Sequence, residues 1–268
     1  LWNSASLIGE RKMKIAVIQS KLYWELPDKD FEQFEQKLAG IEPGTHLVLL
    51  PEMFTTGFSM SPASLAESHP GRTSEWMKSM AKKHGFALAG SYIAETDGKY
   101  FNRMVFAYPN GTIETYDKRH LFRMANEDAH YTSGTQRVIV THEGWRILLA
   151  VCYDLRFPVW LRNWNDYDLM ILVANFPERR RYAWNSLLVA RAIENQVYVA
   201  ACNRVGTDGN QINHTGDSQI IDPMGQIIAQ AKPNTEEVIY SSIDKDYLHS
   251  VRSSFPVHLD ADSFEIKL

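Results

Sequence analysis

Three polar residues stand where apolar, strand-like runs stop: Glu52 after LVLLP, Lys118 in Tyr116-Asp117-Lys118-Arg119-His120, and Cys152 after ILLAV. A carboxylate, an ammonium and a thiol are the parts of a thiol hydrolase. The thiol attacks, a base takes its proton, and a cation steadies the charge that develops. The carboxyl ends of buried strands are where ligand crevices form in α/β proteins, so one pocket can collect all three. A thiol with an ordinary pKa near ~8.5 needs a base or a nearby positive charge to act at neutral pH. Glu52 can supply the base and Lys118 the charge. Each residue also has a plainer reading. Cys152 alone reads more readily as a structural core cysteine, Glu52 as a turn carboxylate and Lys118 as a solvated loop lysine. Cys202, which ends VYVAA without a polar framework beside it, shows what a structural cysteine looks like.

The elements that must position these groups alternate between two periods. Lys14 to Gln19 reads as a buried strand, and Phe31, Phe34 and Leu38 then recur at helical spacing before Gly40. His46 to Leu50 is a strand. A helix face of Trp76, Met77, Met80 and Ala81 follows, started near Thr73 or Ser74 and stopped by Gly85. Phe86 to Ala94 is a strand, and Arg103 to Tyr108 pairs with Thr112 to Tyr116 across Pro109-Asn110-Gly111. Further strands are expected at Arg137 to Thr141, Arg146 to Cys152, Asp168 to Ala174, Val197 to Cys202, Ser218 to Ile221, Ile227 to Ala231 and Val238 to Ile243. Helices are expected at Val159 to Trp164 and Arg181 to Asn195, the second with Ala183, Leu187, Ala190 and Ile193 on one face. The pattern predicts a single α/β domain from Met13 to Leu268, with a mixed sheet or two stacked sheets. Leu1 to Lys12 reads as an N-terminal extension outside that fold.

Composition narrows the function. The chain has 268 residues, 44% hydrophobic and 22% charged, enough for a sizeable core without staples. Lys plus Arg is 28 against 32 for Asp plus Glu, and no basic run interleaves with aromatics, so nucleic acid is not an expected partner. No apolar run approaches the ~18 residues of a membrane span. Two cysteines make no disulfide framework, which fits a reducing, cytoplasmic setting. HExxH, CxxC, G-x-G-x-x-G, P-loop and G-x-S-x-G patterns are all missing, so neither a metal nor a cofactor is expected.

LPEMFTTGF (Leu50 to Phe58), YDKRHLF (Tyr116 to Phe122) and CYDLRFP (Cys152 to Pro158) resemble, in this order, the three catalytic blocks of the nitrilase superfamily of carbon–nitrogen hydrolases. The similarity extends from about Lys14 to Asp244. The segments WNSLLVARAIENQVYV and PEMFTTGF resemble its ω-amidase branch, which hydrolyses 2-oxoglutaramate and 2-oxosuccinamate to the oxo-diacid and ammonia. The resemblance implies a four-layer α-β-β-α sandwich and a homodimer or higher homo-oligomer. The helix after Cys152 and the C-terminal tail would form the interface. It implies Cys152 as nucleophile, Glu52 as general base, and Lys118 with the backbone N–H of Tyr153 as oxyanion donors. Glu127 matches a second family glutamate that orients Lys118 or the attacking water; its plainer reading is a solvated loop carboxylate.

A 2-oxo acid amide carries a carboxylate, for which Arg156 is the first candidate partner. A structural pair with Asp154 or Glu194 is the alternative. Phe58, Phe176 and Trp184 are candidates for an apolar wall over a short substrate, with Phe176 and Trp184 equally readable as core. Other amidases of the superfamily, acting on deaminated glutathione or N-carbamoyl compounds, are the competing enzymes. A catalytically silent scaffold is the competing class, disfavoured because it has no chemical reason to hold Glu52, Lys118 and Cys152 together.

Overall fold

The computed structural model describes residues 12–267; Leu1 to Arg11, most of the expected N-terminal extension, lie outside the described residues. Two mixed sheets stack face to face. The first has the order Glu237–Asp244, Lys12–Gln19, Leu47–Leu49, Ala87–Thr96, Lys99–Ala107, Ile113–Asp117, with the short strand Glu67–Ser68 beside Ala87–Thr96. The second runs Ile227–Gln230, Gln219–Ile221, Tyr198–Asn203, Leu169–Ala174, Trp145–Val151, Ile139–His142. In each sheet three central strands are parallel and the strands on either side join antiparallel, while the short Glu67–Ser68 pairs parallel with its neighbour. This is the four-layer α-β-β-α sandwich that the resemblance implies.

The two-residue period of the strands builds the layers. Ile15, Val17, Leu47, Leu49, Ala87 and Ala89 face the second sheet and join one core. Their neighbours Ala16, Ile18, Val48, Leu50 and Leu88 face outward, under helices Pro27–Ala39 and Arg72–His84, where Phe34, Leu38, Met77 and Ala81 cover them. Gly85 ends the second of these helices in a left-handed conformation (φ 77°) that glycine adopts without a Cβ penalty. The hairpin forms as expected, with Arg103 opposite Asp117 and Ala107 opposite Ile113.

Three expectations need correction. The strand before Cys152 ends at Val151, and Cys152 itself opens a short 3-10 turn, Cys152–Arg156. The following helix is only Pro158–Leu161, because Arg162 leaves helical geometry (φ −60°, ψ 132°). Helix Arg181–Asn195 buries Trp184, Leu188, Arg191, Ala192 and Asn195. Ile193, expected on the core face, is half exposed. The reason is that two polar residues belong to the buried stripe. The Arg191 guanidinium donates to Leu155 O, and the Asn195 side chain accepts from Asn163 N.

Candidate active site

Strands of both sheets end toward one crevice, and four of them each deliver one polar group. Strand Leu47–Leu49 leads to Glu52, strand Ile113–Asp117 to Lys118, strand Trp145–Val151 to Cys152, and strand Leu169–Ala174 to Asn175. The backbone turns sharply at these exits. Met53, next to Glu52, has φ 43°; Cys152 has φ 46°; Asn126, next to Glu127, has φ 56°. Left-handed backbone costs a non-glycine residue on the order of 1 kcal/mol. At Cys152 it turns the side chain out of the strand ladder and into the crevice, where the residue lines the cavity.

Glu52, Lys118 and Glu127 are fully buried and form one charged floor. Lys118 Nζ lies 3.0 Å from Glu52 Oε1 and 3.0 Å from both Glu127 oxygens. Glu127, at the start of the short helix Glu127–His130, also accepts from the backbone N–H of Phe122 at 2.5 Å. Burial pushes its carboxyl pKa up against the opposing pull of Lys118. Lys118 is held firmly charged, the two carboxylates outweighing the cost of burying an ammonium. Its loop is clamped from behind by Gly134, whose N–H donates to Lys118 O at 2.9 Å. A Cβ at Gly134 would stand 2.0 Å from Asp117 O, so only glycine fits this approach.

Two asparagines that the sequence reading missed fix Glu52. Asn102 Nδ2 donates to Oε1 at 2.7 Å, and the backbone N–H of Asn175 donates to Oε2 at 2.7 Å. The Asn175 side chain also donates to Glu52 O at 2.6 Å. Asn175 had the signal used for the other residues, a polar group closing an apolar run (LMILVA). Asn102 lies within a strand and had none.

The Cys152 thiol is pushed well above the ordinary thiol range, first by burial and then by the negative charge of Glu52. Lys118 and the backbone N–H of Asn175 pull it down but are outweighed. The sequence reading expected Lys118 to favour the thiolate. The pull exists, but burial and Glu52 outweigh it, which favours the neutral thiol.

Behind the thiol, Asp154 ties the cysteine turn to the lysine loop. Fully buried, it accepts at Oδ2 from Tyr116 OH (2.7 Å) and Val151 N (3.0 Å). At Oδ1 it takes His120 N (3.0 Å) and faces His120 Nδ1 at 2.8 Å.

The cavity above this floor measures about 500 Å³, enough for a short polar substrate. Phe58, Tyr153, Arg156 and Phe176 line it, and the Phe58 ring centroid sits 5.0 Å from Lys118 Nζ. Arg156 is not in the alternative structural pair: Asp154 is taken as above, and Glu194 pairs with Arg191 at 2.9 Å. Trp184 is a correction to the expected wall. It is 1% exposed, donates to Asp217 O, and packs behind Phe176 with ring centroids 5.2 Å apart, so it is core.

A model of the carbon-nitrogen hydrolase family matches residues 14–253, and the chain belongs to that family. Within it, the chain is 47% identical over 256 residues to the omega-amidase YafV of Escherichia coli (strain K12), covering 95% of this chain and 98% of the relative. It is 32% identical to the 2-oxoglutaramate amidase of Bacillus subtilis (strain 168), over 93% of this chain and 97% of that one. Among solved structures, XC1258 from Xanthomonas campestris, a CN-hydrolase superfamily protein with an arsenic adduct in the active site, superposes with a TM-score of 0.93. It shares 41% identity and covers 96% of this chain and 99% of its own.

Proposed function

We propose that the protein is an ω-amidase. It hydrolyses the terminal amide of a short 2-oxo dicarboxylic monoamide, 2-oxoglutaramate or 2-oxosuccinamate, through a thioester on Cys152. The observation that carries the chemistry is the buried Glu52–Lys118–Glu127 floor beneath a cavity into which Cys152 is turned. The near full-length similarity to enzymes named omega-amidase and 2-oxoglutaramate amidase supports the substrate.

In this reading Glu52 accepts the thiol proton as Cys152 Sγ bonds to the amide carbon. The carbonyl oxygen becomes an oxyanion, met by Lys118 Nζ and the backbone N–H of Tyr153. When both Glu127 oxygens share one ammonium hydrogen, another remains for the oxyanion. Protonated Glu52 passes its proton to the nitrogen, the carbon–nitrogen bond breaks, and ammonia leaves a thioester. Water, deprotonated by Glu52, then attacks the thioester carbon and releases the acid and the thiol. General acid–base help of this kind is worth roughly 10²–10⁴ in rate, and an oxyanion donor about 10²–10³. Asn102 and Asn175 hold Glu52 in place while its charge changes. Arg156 binds the substrate carboxylate, and Phe58 and Phe176 wall the acyl chain.

The reading includes a homodimer, for which the half- to three-quarters-exposed Val159, Phe255 and Leu259 supply apolar surface near the cysteine turn and in the tail. Both cysteines are free, which suits a reducing compartment such as the cytoplasm. No helix among the described residues is long and apolar enough to cross a membrane.

The test is ammonia release from a panel of 2-oxoglutaramate, 2-oxosuccinamate, glutamine, deaminated glutathione, an N-carbamoyl amino acid and a simple nitrile. Fast turnover of the two oxo-amides is expected. Preference for another member would replace the substrate and keep the mechanism. Silence across the panel from reduced, folded protein would favour a scaffold.

A further inference from the structure

A second guanidinium reaches the same cavity. Arg180 ends the short turn Glu178–Arg180, immediately before helix Arg181–Asn195, and lines the pocket with Arg156. Its Nη2 touches Met124 Sδ at 2.8 Å, and its guanidinium carbon lies 4.9 Å from the centroid of the Phe122 ring. Nη1 is shielded from solvent and has no hydrogen-bond partner. Among the described residues, no carboxylate is within ion-pair distance of Arg180 or of Arg156. The Arg156 side chain has no hydrogen bond or ion pair among the described residues, and its guanidinium carbon lies 5.9 Å from the centroid of the Phe176 ring.

The carboxylates that share the cavity are engaged elsewhere. Glu25 accepts from Ser59 Oγ at 2.6 Å, and Asp208 Oδ1 accepts from the backbone N–H groups of Asn210 (2.8 Å) and Ile212 (2.9 Å). A guanidinium carries five donors and keeps its charge, so one that meets a thioether and a ring, with one nitrogen shielded and unpaired, is an incomplete pair. Burial first, and then the like charges of Arg179 and Arg156, lower its pKa.

We propose that Arg180 is a specificity-determining residue that, with Arg156, binds the carboxylate at the end of the substrate remote from the scissile amide. This rests on the ω-amidase reading. The two cations approach from different segments, Arg156 from the cysteine turn and Arg180 from the start of the helix. An anion between them relieves their mutual repulsion and gives the guanidinium face that lines the cavity a charged acceptor. A neutral acyl chain does neither. The pocket therefore selects amides by charge at the far end as well as by length.

The test compares glutaramate with pentanamide, two five-carbon amides that differ in the far carboxylate, alongside 2-oxoglutaramate. In the wild type the carboxylate-bearing amides should have the higher kcat/KM. Arg180→Met should lower kcat/KM for them by about 10- to 100-fold, mostly through KM, the usual weight of a charge-assisted hydrogen bond. Pentanamide should change less than about threefold. Arg180→Lys, which keeps the charge and loses the fork, should fall between. Parallel losses on all three amides would overturn the proposal and make Arg180 a latch for the Phe122 to Ala125 loop. Unchanged kinetics with a wild-type preference intact would overturn it as well. A wild type with no preference for the carboxylate would instead overturn the ω-amidase reading on which it rests.

Discussion

The two cysteines lie on neighbouring parts of one sheet, and burial raises the pKa of both thiols well above the usual range. Cys202 sits within strand Tyr198–Asn203, fully buried, its Sγ donating to Ile18 O at 3.2 Å across the gap between the sheets. Cys152 sits one residue past its strand, in left-handed backbone, beside a carboxylate and an ammonium and open to a cavity. The thiol itself is the same in both places. A single backbone turn at the strand end, together with charges delivered by the other sheet, separates the proposed nucleophile from a packing atom.

Replacing either cysteine tests that contrast. The largest effect is expected from Cys152→Ala, which should cut ammonia release at least ~10³-fold while circular dichroism and Tm stay near wild type. Retained turnover would mean that the sulfur is not the nucleophile. Chemical labelling sharpens the comparison. With a raised thiol pKa, the thiolate fraction of Cys152 grows about tenfold per pH unit below that pKa. Labelling by iodoacetamide, followed by mass spectrometry, should therefore keep rising from pH 7 through 9. Cys202 should stay unlabelled until denaturant is added. A plateau below pH 8 would show a stabilised thiolate instead.

The smallest effect is expected from Cys202→Ala, with rates unchanged and a loss of roughly 1 kcal/mol at pH 7 from the vacated volume. Its pH dependence has a definite sign. The folded Cys202 pKa is raised, so above the unfolded value near ~8.5 the native state holds the proton that the unfolded chain releases. Wild-type stability then falls as pH rises, and the deficit of the alanine variant should shrink toward pH 10. Urea titrations at pH 7 and pH 10 measure the difference; a deficit that widens would reverse the assignment of the burial effect.

Much of this was legible in the chain because strand exits leave local marks. An apolar run closed by Glu52 or Cys152 is visible within a few residues. The strand pattern is equally local, and the expected elements were found with their ends displaced by a few residues. What escaped notice depended on partners far away in sequence. Asn102 and Asn175 reach Glu52 across 50 and 123 residues. The buried face of helix Arg181–Asn195 was misread because Arg191 and Asn195 count as polar in any periodicity, yet both are satisfied by hydrogen bonds to the Leu155 to Asn163 region. Residue type alone makes Trp184 a candidate pocket wall, and nothing local in the chain shows that Phe176 stands in front of it.

The Asp154 carboxylate limits how the proposed catalytic centre can be rebuilt. Tyr116 and His120 bracket Lys118 in the chain, Val151 precedes Cys152, and all three donate to the same two oxygens. The lysine and cysteine segments are therefore not separable modules. A chimera that imports either one from a relative without its matching donor or acceptor would strand a buried charge and shift Lys118 relative to the sulfur. Recombination and design in this enzyme should treat residues 116–120 and 151–154 as one inherited cassette.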